Sequence, residues 1–170
     1  MKSILIIWLV GGALNLAAQH PNKIIRQGNS KFEAGNYEEA EVSYRKALDK
    51  DAASAKADYN LGLALYKQGK FEDAANVFQA LATNEKADKE KAGNYFYNLG
   101  NALLKSQKLD AGIEAYKKAL INNPGDNQAK YNLSYALAMK QQQQEQQDNG
   151  DGEQPEPSEY AKELKNRQKN

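Results

Sequence analysis

The stretch Tyr59-Asn60-Leu61-Gly62 returns as Tyr97-Asn98-Leu99-Gly100 and again as Tyr131-Asn132-Leu133-Ser134, with Ile25-Arg26-Gln27-Gly28 as a degenerate first copy. Gly28 and Gly62 lie 34 residues apart, Gly62 and Gly100 38, and Gly100 and Ser134 34. A unit of that length is one helix-turn-helix, too small to bury its apolar face alone, so successive units must stack into a solenoid. The second half of each unit keeps step with the first. Gly35, Tyr37, Ala40, Tyr44 and Ala47 recur as Gly69, Phe71, Ala74, Phe78 and Leu81, and Leu109, Gly112, Tyr116 and Ala119 make a third copy. The expected architecture is all-α: a right-handed superhelical solenoid of three helix pairs plus a C-terminal capping helix.

The pattern predicts helices over Pro21 to Glu33, Tyr37 to Asp49, Ser54 to Lys67, Phe71 to Ala82, Lys91 to Lys105, Leu109 to Ile121 and Asp126 to Gln142. Gly35 and Gly69 fit a left-handed residue just past a helix end, and Pro124 terminates the third pair. Small residues at Gly28, Gly62, Gly100 and Ser134 face Ala40, Ala74 and Gly112 and let paired helices approach, while Tyr44, Phe78 and Tyr116 fill the space beside them. Between the second and third units the period grows by four residues, in Asn84 to Lys91, and Leu81 stands where Ala47 and Ala119 stand elsewhere. Both changes predict a looser junction, with the following helix extended at its start or preceded by a mobile loop.

These residues resemble the tetratricopeptide repeat family over about residues 21–140, with repeats at about 21–54, 55–88 and 93–126 and a cap at 127–142. The resemblance implies a protein-binding scaffold whose first helices line a concave groove. On those helices Arg26, Asn60, Asn98 and Asn132 occupy one position. Asn29 and Asn101 lie three residues further along, with Leu63 and Tyr135 completing that row; Phe32, Tyr66 and Leu104 lie near the helix ends, and Lys56, Lys67 and Lys105 give a mildly positive rim. Asparagine is a poor helix former, so its recurrence inside a helix needs a cause. Its amide offers a donor and an acceptor to a peptide backbone in the groove. The other reading is that Asn60, Asn98 and Asn132 bridge adjacent helices and tune the superhelix. Family members that clamp an acidic C-terminus carry basic residues where this chain has Ile25 and Asn98, and only Asn29 and Asn60 match that pattern.

Composition narrows the chemistry. Twenty-three lysines and arginines face 22 acids, and no basic cluster is interleaved with aromatics, so no nucleic-acid surface is expected. The one histidine, His20, lies outside the repeats and there is no cysteine, so neither a catalytic triad nor a histidine-based metal site is expected. Glu38, Glu39, Glu72 and Asp73 open second helices, where negative charge suits the helix dipole. The glycines recur at repeat intervals and build no phosphate loop. The reading is of a non-enzyme, without cofactor, metal or small-molecule substrate, that binds a protein or peptide.

Lys2 precedes an apolar run from Ile4 to Leu14 and then Asn15-Leu16-Ala17-Ala18, which reads as a signal peptide over 1–18 cleaved after Ala18. The alternative is an uncleaved inner-membrane anchor, although the run is short of the ~20 residues a bilayer needs. With no cysteine to carry a lipid, the expectation is a periplasmic protein. Beyond Lys140 a glutamine run and a segment rich in glycine, proline and acids predict a disordered linker over 141–157. In the tail, 158–170, Ser158 would cap a short helix with Tyr160 and Leu164 on one face. The leader, the first unit Lys23-Ile24-Ile25-Arg26-Gln27-Gly28-Asn29, the three repeats and the glutamine-rich tail resemble the small periplasmic repeat proteins of bacterial aerotolerance (Bat) operons. That resemblance implies partners among membrane proteins with von Willebrand factor A domains, in operons that also encode a MoxR-type ATPase. A self-assembling solenoid and a membrane-tethered assembly factor are the competing readings.

Overall fold

A computed structural model describes residues 20–84 and 87–148. Its helices run α1 Pro21–Glu33, α2 Tyr37–Leu48, α3 Ala55–Lys67, α4 Phe71–Ala82, α5 Lys89–Lys105, α6 Leu109–Asn122 and α7 Asn127–Asp148. Each packs on the next in chain order, and α1 also meets α3. Among the described residues there is no strand, and no helix is long and apolar enough to cross a membrane. The expected signal peptide and its cleavage site, residues 149–157 of the expected linker and the expected tail helix lie outside the described residues.

The pairing of helices follows from a ring set over a glycine. A β-carbon on Gly28 would stand 2.6 Å from the Tyr44 ring, on Gly62 2.8 Å from Phe78, and on Gly100 2.6 Å from Tyr116. Each glycine thus faces the aromatic of its own pair directly, and Tyr44, Phe78 and Tyr116 are all but sealed from solvent. Alanines at 40, 47, 57, 64, 74, 102 and 119 are fully buried and let the helices pack closely. Within each pair the chain reverses through a left-handed residue, Gly35 at φ 80° and Gly69 at φ 77°. The third reversal uses Gln107 at φ 62°, which the sequence reading did not anticipate. At the end of α6, Asn123 is extended (φ −135°, ψ 85°), the conformation that a following proline imposes.

The four extra residues of the long repeat are absorbed as one more helical turn. α5 has 17 residues against 13 in α1 and α3, and it begins at Lys89 rather than Lys91. Its N-cap is Asp88, whose Oδ1 accepts from the Lys91 amide at 2.8 Å. The added turn is anchored, since Ala92, Gly93 and Tyr95 are buried and Leu81 is sealed from solvent.

α7 buries Ala129 and Ala136 and sets Leu133 against Ile113 and Tyr116, which covers the apolar side of the last pair. It corrects two expected boundaries, running to Asp148 instead of 142 and so taking 141–148 from the predicted linker. Glutamine is a good helix former, and no proline, glycine or β-branched residue interrupts that run. Along one edge, ion pairs stitch successive units: Lys70 to Glu41 at 2.9 Å, Lys108 to Glu72 at 2.8 Å and Lys140 to Asp110 at 2.6 Å. Glu72, expected to favour the dipole of its own helix, thus also holds the next repeat.

Candidate functional site

The candidate face is carried by α1, α3, α5 and α7. Asn60 on α3 donates through Nδ2 to Oδ1 of Asn29 on α1 at 2.9 Å, and the Tyr44 hydroxyl donates to the same Oδ1 at 2.9 Å. Two repeats later the triad returns. Asn132 Nδ2 and the Tyr116 hydroxyl both donate to Asn101 Oδ1, at 2.9 and 2.8 Å. Burial and, secondarily, Glu33 push the Tyr44 phenol up to about 12. Burial, then Tyr97, raises Tyr116 against the opposing effect of its contact with Asn132. Both phenols therefore stay protonated and available as donors.

The middle repeat breaks the pattern coherently. Leu63 stands at the Asn29 position and Phe78 at the Tyr44 position, so acceptor and donor are lost together and no orphaned polar group is buried. Asn98, which then has no asparagine to bridge to, donates to the Asn94 carbonyl at 2.9 Å and reaches the Tyr59 hydroxyl at 3.4 Å.

Among the described residues each complete triad leaves one amide NH₂ and one amide oxygen without a protein partner. Among the described residues only Gln68 Oε1 is both buried and unsatisfied, so these remaining groups of Asn29, Asn60, Asn101 and Asn132 meet solvent. Exchanging the two ends of both amides would still leave one donor and one acceptor at each station. Asn29 and Asn60 line a small pocket of ≈ 110 Å³ with Phe32 and Leu63, so three of the expected residues come together there. Phe32 and Tyr66 are half-buried, each edge-on to the first aromatic of a second helix, Tyr37 and Phe71, at 5.2 Å. Burial, then Tyr97, raises the Tyr66 phenol.

Not all the expected residues converge. Lys105 lines a separate depression with Gly69, Phe71 and Gln107, at the turn end of the helices. Arg26, Lys67 and Lys105 are exposed, whereas Ile25 is sealed in the core. Sequence reasoning missed Tyr59 and Tyr97, which share an open cleft with Asn94, Asn98 and Asn123. It also treated Tyr44 and Tyr116 as packing alone. Their hydroxyl role was signalled by the joint change of Asn29 and Tyr44 into Leu63 and Phe78.

A tetratricopeptide repeat family model matches residues 25–90 and 97–146. The chain belongs to the tetratricopeptide repeat family. Among solved structures it is similar to the first tetratricopeptide domain of human RPAP3, at 27% identity and TM-score 0.62 over 72% of this chain and 95% of that one. It is similar also to the first such domain of Spaghetti (RPAP3) bound to the HSP90 peptide SRMEEVD, at 25% and 0.65 over 72% and 94%. A third is MamA from Desulfovibrio magneticus RS-1, residues 41 to the end, at 26% and 0.65 over 71% and 66%. No curated protein sequence matches. The tetratricopeptide fold is a protein-interaction scaffold, a stack of helix pairs that presents extended surface.

Proposed function

We propose that this tetratricopeptide protein holds an extended peptide segment of a partner along the face of α1, α3, α5 and α7. The observation that carries this is the pair of amide stations, Asn29 with Asn60 and Asn101 with Asn132, each offering one donor and one acceptor to solvent. A donor beside an acceptor complements a peptide unit. A carboxylate, which only accepts, would leave the station's acceptor unpaired. The related Spaghetti domain is bound to a peptide ending in EEVD, but here Ile25 is buried and Asn98 is neutral, which argues for an internal segment over an acidic C-terminus. Phe32 lies beside the first station as a side-chain contact, and exposed Arg26 and Lys67 supply positive charge on the same helices.

The proposal places this scaffold in the cell envelope, exported by residues 1–18, with membrane proteins carrying von Willebrand factor A domains as partners in an aerotolerance-type complex. The leader-like sequence and the resemblance in repeats and tail support that setting. The test is affinity capture from envelope extract, comparing the wild type with Asn60→Ala plus Asn98→Ala, each shown by circular dichroism to be folded. Partners lost only from the variant support the face; identical partner sets sink it. The intact mass of the envelope-derived protein, starting at Gln19 or at Met1, decides export with cleavage against a retained anchor.

A further inference from the structure

The extra turn of α5 does more than fill a gap in the repeat. Its first turns stand off from α3, and the space between them is a pocket of ≈ 570 Å³. Ala53, Ala55, Leu81 and Ala87 line it together with Tyr59 and Tyr95, whose ring centroids are 5.7 Å apart. Among the described residues its polar lining is Lys56, Asn84, Lys91, Asn94 and the two tyrosines, and none of the described lining residues is a carboxylate. Lys91 is engaged by Asp88 at 2.6 Å, whereas Lys56 is exposed and forms no salt bridge among the described residues. Tyr59 and Asn94 also line the neighbouring cleft that holds Asn98 and Tyr97, so the pocket opens beside the proposed peptide path.

We infer that this pocket is the specificity subsite of that path and takes a bulky apolar side chain, aromatic, leucine or methionine, of a partner segment in which an acidic residue sits next to the anchor. The inference rests on the reading of the first-helix face as a peptide site. The apolar lining supplies the anchor's burial. Lys56 supplies the charge that selects an acidic neighbour, in a groove that otherwise reads backbone and so carries little sequence information. The subsite is peculiar to the junction between the second and third repeats, because only there does the period gain four residues.

The experiment selects displayed random dodecapeptides on the immobilised full chain and on two variants. Ala55→Trp fills the pocket from an exposed first-turn position, and Lys56→Glu reverses the rim charge without touching the core. The expected wild-type selection is enriched in a large apolar residue with Asp or Glu beside it. Binding of the best such peptide, measured by fluorescence anisotropy, should fall roughly tenfold or more with Ala55→Trp. With Lys56→Glu the preferred neighbour should change from acidic to basic. Peptides that bind without an apolar anchor, or that bind Ala55→Trp as well as wild type, would overturn the subsite and leave the face reading standing. Failure to select any peptide would overturn the face reading itself. Concentration-dependent self-association abolished by Ala55→Trp would assign the pocket to a second copy and so refute the partner-segment assignment.

Discussion

Asn29 and Tyr44 show how one repeat position can serve packing and recognition together. The Tyr44 ring seals Gly28 while its hydroxyl fixes the Asn29 amide, and that amide in turn fixes Asn60 on the next repeat. Repeat two replaces the pair with Leu63 and Phe78, an apolar solution already present in this fold. Asn29→Leu and Tyr44→Phe should each destabilise the chain, while the double variant costs less than their sum. A coupling energy of about 1 kcal/mol is expected from a double-mutant cycle in urea. At Gly62 a methyl group would sit 2.8 Å from the Phe78 ring, and that ring is closed in on every side. Gly62→Ala should therefore cost about 1–3 kcal/mol by overpacking, read as a lower urea midpoint at unchanged slope.

At the scale of the element, turns and caps set where each helix begins and ends. Gln107 carries the same left-handed backbone that glycine supplies at 35 and 69. Gln107→Gly should relieve that strain and raise stability by about 1 kcal/mol, seen as a higher melting temperature. The extra turn of α5 is capped by the Asp88 carboxylate on the Lys91 amide, and the same carboxylate pairs with the Lys91 ammonium. Removing it in Asp88→Ala should speed amide hydrogen exchange over 89–93 while leaving α3 unchanged. Were exchange in that turn already fast in the wild type, the capped-helix description of the junction would be wrong. The stretch 141–147 is helical without tertiary burial, since its side chains are exposed but for a half-buried Gln142.

Across the whole molecule, stability is a sum over neighbours, and one charged side chain bridges the first two repeats. Glu41 on α2 is nearly enclosed and meets Gln68 and Lys70 from the following turn as well as Arg45 on its own helix. Burial pushes its carboxyl up, but the hydrogen bonds from Lys70, Gln68 and Arg45 together outweigh it and bring it down to about 2. A carboxyl lowered on folding stabilises the native state fully above its unfolded range and loses that contribution as pH falls toward the folded value. Glu41→Gln should thus be less stable than wild type at neutral pH, by about 1 kcal/mol. The gap should close between about pH 4.5 and about pH 2, as measured by denaturant unfolding across pH. A gap independent of pH would show that Glu41 acts through packing.

Among the described residues, periodicity alone determined the helix count, the pairing and most helix ends. Glycine against aromatic at fixed spacing is a local pattern whose only well-packed solution is a helix pair, and pairs must stack to bury their faces. The candidate residues were legible as a row of asparagines, because an amide repeated within a helix defies propensity. What each amide does was not legible. A hydrogen bond from Asn60 to Asn29 spans 31 residues and exists only once two repeats are stacked. The same holds for the pocket between α3 and α5. The sequence showed four extra residues, but whether they formed a loop or a helical turn depended on Asp88 capping and on the end of α6 offering a surface for Gly93 and α3 one for Tyr95. Tertiary packing decided that, and with it the cavity that the added turn encloses.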